Sequence, residues 1–435
     1  MNIRISCLSG HYHKAQKKNR QSFLLFITLF MCACSVSEST PKAVSSPSFS
    51  KADAIIIAQN DLTADAGKKA FERGGNAADA MAAMLATGSV VLPSKMGIGA
   101  GGVCQILSPQ TGHVETLGFL SEPMTFDKKI GTPSLPKGLF RLQNKYGIRP
   151  WKEVFTNAIY LAQNGISISD ELAKDIINTQ GLPQKWKQLK KGDLLKQEKL
   201  AETLSVLSDS AVDVLYKGKM AESIVSQSDQ IIQEDLKSTK INIMDSIDAS
   251  SNTGKTFFAN PAILSSDGYM LWKNLQSKNP EKNSQALQEI KQIQNRNFQT
   301  QDSVQGVSFF SADKSGLVVA CTVSLGSSFG SKQLTQEGFF LSSPIHPQDR
   351  GFVFFNALTT NPDITDVIYS LQAVGNNALA EGTSYMANKQ LEVSSEQINT
   401  DSIFIELSCE KGFPNNATSC QENKFLHKVK QDLTK

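Results

Sequence analysis

The stretch Gly306–Gly330, GVSFFSADKSGLVVACTVSLGSSFG, decides the fold. Apolar and polar residues alternate from Val307, the run Asp313-Lys314-Ser315-Gly316 has turn chemistry, and Leu317–Ser324 reads as a second strand, which together predict a β-hairpin. Ser327-Ser328-Phe329-Gly330 follows as a small-residue turn, of the sort that brings backbone and hydroxyls close to a ligand.

Further toward the N-terminus, Thr63–Arg73 carries helical apolar spacing and Gly74-Gly75 stops it. Asn76 can cap a second helix, Ala77–Thr87, with Asp79 near its positive end. Two Ala-rich helices this close in sequence must pack tightly. Val90-Val91-Leu92-Pro93 then leads into Met96-Gly97-Ile98-Gly99-Ala100-Gly101-Gly102 and a strand over Val103–Leu107. The glycine run lacks the following helix and the Lys of a phosphate-cradling loop, so it is read as a close backbone approach to a neighbouring strand.

In order, these pieces resemble the γ-glutamyltransferase (γ-glutamyltranspeptidase) family. Gly74–Gly102, GGNAADAMAAMLATGSVVLPSKMGIGAGG, resembles the signature of the family's large subunit. Gly131-Thr132-Pro133, Lys145-Tyr146-Gly147 with Trp151, the helix around Ala158–Ala162 before Gly165, Leu189–Asp193, Leu215–Gly218 and Glu234-Asp235-Leu236 continue it. In the hairpin, Asp313, Gly316, Leu325, Phe329 and Gly330 fall in register with the opening of the small subunit. The resemblance covers most of residues 52–380. Ser265-Ser266-Asp267-Gly268 resembles the family's Pro/Ser/Gly loop, and a helix is expected from Tyr269 to about Lys278. The polar run Lys278–Ser303 stands where the family has a longer helical region and reads as a solvated helix plus linker. Strands are expected at Phe339–Leu341, Gly351–Phe355, Asp366–Val374 and Asp401–Leu407. Helices before and strands after, with this resemblance, imply an α+β fold, the four-layer αββα sandwich of the N-terminal-nucleophile hydrolase type. Residues 51–303 would correspond to the large subunit and 304–435 to the small one.

The chain has 435 residues, 40% hydrophobic and 20% charged, enough for a large core. A net charge of +3 is too small to imply a nucleic-acid partner. Five His and seven scattered Cys show no zinc-ligand spacing, so neither a metal nor a cofactor is expected. Lys14, Lys17, Lys18 and Arg20 precede an apolar run, Ser22–Met31, of the length of a signal-peptide core and short of a membrane span. Residues 1–34 therefore read as an export signal. Ala33-Cys34 resembles a bacterial lipobox, which would lipidate Cys34; plain signal-peptidase cleavage is the alternative. Residues 35–50 then form a tether. In an exported chain Cys409 and Cys420 are candidates for a bridge, whereas Cys104 and Cys321, in apolar runs, read as buried thiols.

The resemblance implies a chemistry whose parts can be checked. A Thr hydroxyl splits the precursor at the preceding carbonyl and then serves as nucleophile. That position is Gly306, which has no side-chain oxygen. The supporting hydroxyl is retained at Ser324, equally readable as a strand Ser satisfied by backbone. The Asn two residues on is Gly326. The Arg that clamps the substrate carboxylate aligns with Phe119, whose ring cannot replace a bidentate guanidinium. The segment that grips the substrate amine reads Leu341–Pro347 and holds His346 but no carboxylate. The oxyanion loop reads Gly375-Asn376-Asn377-Ala378, whose backbone N–H groups could still donate. Two serines are candidates for a relocated nucleophile. Ser308 shares the strand face of Gly306 but lies about 6.7 Å further along, whereas oxyanion donors must sit about 3 Å from the reacting oxygen. Ser303 lies in the polar run and needs another cleavage register.

The expected protein is an exported family member, in the bacterial envelope or periplasm, that remains a single uncleaved chain and does not transfer γ-glutamyl groups. Its old cleft would bind an unidentified small molecule or envelope partner. Three alternatives stay open: the family's own glutathione hydrolysis and γ-glutamyl transfer, an acyl hydrolase using Ser308 or Ser303 on an apolar substrate near Phe119 and Phe309, and a structural envelope protein held by a lipid at Cys34.

Overall fold

Two six-stranded antiparallel sheets stack face to face with helices on both outer sides. The computed structural model describes residues 54–425 except 211, 251–254, 261–262, 264–267, 278, 296–302 and 392–401. The expected export signal, Cys34 and the tether lie outside the described residues, as do Ser265, Ser266 and Asp267.

The first sheet runs, in spatial order, β1 (Ala54–Ala58), β9 (Gln305–Asp313), β10 (Val318–Gly326), β2 (Gly101–Ser108), β3 (His113–Phe119) and β6 (Asn242–Asp245). The second runs β14 (Cys420–Phe425), β13 (Ile403–Phe413), β12 (Val367–Val374), β11 (Phe354–Thr360), β8 (Lys255–Phe258) and β7 (Ile247–Asp248). A small ribbon pairs β4 (Ile166–Ser167) with β5 (Leu194–Leu195). The hairpin forms as read and occupies the centre of the first sheet, so segments on either side of residue 304 are interleaved within one sheet.

Alternation along the hairpin sorts its residues between two cores. Phe310, Ala312, Val318 and Ala320 point into the layer between the sheets, against Leu358, Val367 and Ile405. Val307, Phe309, Cys321 and Val323 point the other way, toward the helices. With both faces covered, apolar residues are not confined to one face, and the alternation that starts at Val307 breaks at Phe309-Phe310. Each buried Phe contributes on the order of 1.5–3 kcal/mol.

The first helical layer begins with α1 (Asp61–Glu72) and α2 (Ala77–Val91), and α2 is buried along its whole length. Its Ala content lets the backbone approach β9 and β10 closely, and its apolar composition all round suits an interior helix. Three side chains satisfy its first turn. Asn76 accepts from Ala78 and Asp79, Asp79 accepts from Asn76, and Asp313 of the hairpin turn accepts from the Ala77 N–H at 2.8 Å. Then follow α3 (Leu135–Tyr146), α4 (Trp151–Val154), α5 (Thr156–Asn164), α6 (Asp170–Asn178), α7 (Gln184–Lys187), α8 (Glu198–Asp209), α9 (Val214–Lys217), α10 (Lys219–Ser226) and α11 (Gln233–Lys237). Outside the second sheet lie α12 (Gly268–Leu275), α13 (Pro280–Gln294), α14 (Arg350–Val353) and α15 (Ala378–Leu391).

Four expectations need correction. Cys104 and Cys321 are not thiols but a disulfide, because β2 and β10 set them directly opposite with Cα atoms 4.0 Å apart. The helix in the polar run is not fully solvated: Ala286, Ile290 and Ile293 of α13 lie on one face and are buried with Trp272 and Leu275. Phe339–Leu341 is not a sheet strand; it makes only isolated bridges, and Phe340 packs edge-on against Trp186 and Phe329. Arg350–Val353 is one helical turn, and strand pairing starts at Phe354. Cys409 and Cys420 are bridged across β13 and β14.

Candidate active site

The hairpin's second strand ends in an irregularity between Ser324 and Gly326, where Gly326 has a φ of +88°. A Cβ at Gly326 would lie 1.7 Å from the Ser343 carbonyl oxygen, so the backbone of the 341–345 segment occupies the place an Asn would need. Between these segments remains a pocket of about 10 Å³, lined by Ser121, Ser324, Gly326, Ser343 and Arg350 among others. That is room for about one water molecule.

Gly306 is opposite Ser324 on the face toward the second sheet. A Cβ built there would meet Val374 Cγ2 at 2.6 Å and the Val323 carbonyl oxygen at 2.7 Å. The volume in which a nucleophilic side chain would stand is already filled by β12. The carbonyl preceding Gly306, that of Gln305, accepts a hydrogen bond from Ser324 Oγ, which itself accepts from the Gly326 N–H at 2.8 Å. The hydroxyl of Ser324 is thus engaged by backbone on both sides and holds the bulge together. Asn376 Oδ1 accepts from the Val304 N–H at 2.8 Å and pins the chain as it enters β9, while Asn377 Oδ1 is buried without a partner among the described residues.

Ser308 is completely buried between the sheets, opposite Thr322, and its hydroxyl has no partner among the described residues. Ser303 is exposed just ahead of β9.

Two of the positions carried over from the family are not brought to the cleft. The ring of Phe119 faces the helices: a Cβ on Gly138 of α3 would lie 2.3 Å from its Cγ, and Phe119 belongs to the helix-side core. The next residue, Leu120, lines the pocket instead, as the alternation of a strand end requires. His346 is exposed; its Nδ1 accepts from the Gln348 N–H at 3.4 Å.

Arg350 is the feature the motifs did not reveal. Its side chain is 9% exposed and forks onto Glu122, with Nη1 and Nη2 donating to the two carboxylate oxygens at 2.9 and 2.7 Å. Nε donates to the Ile345 carbonyl and Nη2 also to that of Ser121. A bidentate guanidinium–carboxylate pair is among the stronger polar contacts a protein makes. Here it ties the 345–350 segment to the chain just after β3 and engages the Arg350 guanidinium that borders the pocket. Nearby, Ser121 Oγ donates to the Thr132 carbonyl at 2.7 Å and shares a short hydrogen bond with Ser342 Oγ, while the Gly131 N–H donates to the Ser342 carbonyl. The Gly131-Thr132-Pro133 motif therefore serves as a backbone lock. Residues 228 apart form the Arg350–Glu122 pair, which no local spacing announces.

The layering and strand order define a class, the αββα N-terminal-nucleophile hydrolase fold. The fold is shared with a solved structure, cephalosporin acylase from Bacillus halodurans, at a TM-score of 0.65 over 85% of this chain and 95% of that one, with 15% identity. Residues 63–276, just under half of the chain, match the family model described as gamma-glutamyltranspeptidase. Curated relatives include the glutathione hydrolase proenzyme of Bacillus subtilis (strain 168), 28% identical over 209 residues, 40% of this chain and 35% of that one. The glutathione hydrolase proenzyme of Escherichia coli (strain K12) is 29% identical over 223 residues, 42% and 38% of the two chains. The matched part spans little more than a third of the length of these relatives.

Proposed function

We propose that this chain is a gamma-glutamyltranspeptidase-family protein that neither cleaves itself nor transfers γ-glutamyl groups, and that acts as a single uncleaved chain. The observation that carries this reading is the packing of Val374 Cγ2 at 2.6 Å from where a Cβ on Gly306 would stand. Self-cleavage and acyl transfer both require a side-chain oxygen there, and the surrounding packing leaves no place for one. The cleft of about 10 Å³ supports the same reading, since a γ-glutamyl compound cannot enter a space suited to one water. Arg350 could have replaced a lost carboxylate clamp, but its donors are committed to Glu122, Ile345 and Ser121.

The alternative hydrolase would use Ser308 or Ser303. Ser308 is sealed in the inter-sheet core, and Ser303 is exposed outside the cleft. We further propose export, with Cys34 as the candidate lipid attachment point and residues 35–50 as tether. The two disulfides support an oxidising compartment. A binding role for an envelope partner or small molecule would then fall to surfaces other than the cleft.

The experiment is the intact mass of the mature protein after prolonged incubation near neutral pH, with N-terminal sequencing of every species. One stable chain is expected, its N-terminus reporting whether Cys34 is modified. Two fragments with a new N-terminus at a Ser or Thr between Thr300 and Ser308 would overturn the inactive reading and name the nucleophile.

A further inference from the structure

A second concavity lies away from the cleft, on the helical layer of the first half. It is a groove of about 470 Å³ between α7, β5, the start of α8 and the 334–338 loop. Sites for small molecules commonly enclose roughly 300–1,000 Å³. Its wall is aliphatic and aromatic: Trp186, Leu189, Leu195, Leu200 and Leu334 line it. Trp186 is held rigidly by edge-on packing against Phe329 and Phe340, with ring centroids 5.6 and 5.1 Å away. At the lip, Leu194 stands 59% exposed beside Gly165, where it gains little from being left in water.

The rim is cationic. Lys185, Lys196 and Lys199 border the groove with Glu198 as the one acid. Lys199 is drawn toward Glu202 at 2.8 Å, whereas Lys185 and Lys196 form no ion pair among the described residues. The segment Lys185–Lys199 as a whole carries six lysines, at 185, 187, 190, 191, 196 and 199, against Asp193 and Glu198. Of these, Lys191 is paired with Asp170. An apolar trough bordered by free ammonium groups complements a molecule with an aliphatic body and an anionic head.

We propose that this groove binds a free single-chain anionic amphiphile, of the long-chain carboxylate type, with its alkyl chain against Trp186, Leu195 and Leu334 and its head between Lys185 and Lys196. A nucleotide fits less well, because the Trp186 ring is buried by its aromatic neighbours and offers no open face for a base. A bilayer surface fits less well because the apolar residues line a recess rather than project. The site is separate from the cleft, so the proposal stands whether or not the chain has hydrolase activity.

The test uses the full mature chain and 12-bromododecanoate, whose bromine quenches tryptophan fluorescence on contact. Saturable quenching below the micelle threshold is expected, lost in Trp186→Phe, with Trp151 and Trp272 serving as unquenched internal references. The Lys185→Glu/Lys196→Glu double variant, exposed at both positions and therefore able to fold, should weaken binding about tenfold or more at low salt. The uncharged 12-bromododecanol should bind correspondingly less well. Quenching that is absent, or that Trp186→Phe leaves intact, overturns the proposal. Equal affinity for acid and alcohol, unchanged in the double variant, overturns the assignment of an anionic head. Quenching by anionic vesicles with brominated chains, but not by the free acid, overturns it in favour of a membrane surface.

Discussion

At the level of single residues, the proposed loss of hydrolase chemistry rests on steric as well as chemical grounds. Restoring the missing hydroxyl by Gly306→Thr places a Cβ within 2.6 Å of Val374 Cγ2 and 2.7 Å of the Val323 carbonyl. The variant is expected to lose about 1–3 kcal/mol of stability, as overpacked cores do, and to remain one chain by intact mass. Adding Val374→Ala should recover part of the loss in a denaturant titration. Cleavage of Gly306→Thr alone would show that the filled volume is not the obstacle. Ser308 makes the opposite prediction. Its buried hydroxyl has no partner among the described residues, so Ser308→Ala should be neutral or stabilising within about 1 kcal/mol. A marked destabilisation would reveal a role for that oxygen beyond the packing described.

Among the elements, the hairpin and α2 depend on each other. Asp313 sits in the turn, yet its carboxylate accepts from the Ala77 N–H at the start of α2 and from the Ser315 N–H in its own turn. Asp313→Ala should therefore cost about 1–3 kcal/mol, more than an exposed turn substitution, read as a shift in the denaturant midpoint. The helix α13 is the element whose polarity misleads. Its mostly polar sequence hides a stripe of Ala286, Ile290 and Ile293 against α12 and α15. Ile290→Ala is expected to cost about 2–4 kcal/mol, where a solvated helix would lose almost nothing.

Over the whole molecule, two terms set stability outside neutral, oxidising conditions. The Cys104–Cys321 bridge joins positions 217 apart, and Cys409–Cys420 joins positions 11 apart. Replacing the first pair by Ala should cost about 2–5 kcal/mol, and more than replacing the second if loop-closure entropy dominates. The second term is alkaline. Burial, and then the charge of Glu406, push the Tyr369 and Tyr385 hydroxyls above the ordinary tyrosine range. Tyr385 also donates to Glu406 Oε2 at 3.0 Å. Burial likewise raises Tyr216, whose hydroxyl donates to the Pro133 carbonyl. A folded-state pKa above the unfolded value of about 10 means the unfolded chain releases its proton first. This contribution is complete below pH of about 10 and is lost as pH rises beyond it, so the unfolding midpoint should fall steeply above that pH. Tyr385→Phe should flatten the slope.

By itself the sequence determined the hairpin and the α1–α2 pair, because period-two and helical patterns, glycine punctuation and the Asn76 cap are local and agree with one another, while the αββα class was legible only through the family resemblance that these pieces carry in order. The absence of an oxygen at Gly306 was equally legible. It also led to misplaced positions: Phe119 turns toward α3 and His346 toward solvent, since a one-residue step in a strand reverses a side chain and an irregular segment has no period to read. Only the tertiary structure decided that Val374 fills the space beside Gly306, that Arg350 pairs with Glu122 next to the cleft, and that Cys104 meets Cys321. Each of these joins residues far apart in the chain, and their approach is fixed by the stacking of two sheets rather than by any spacing along one of them.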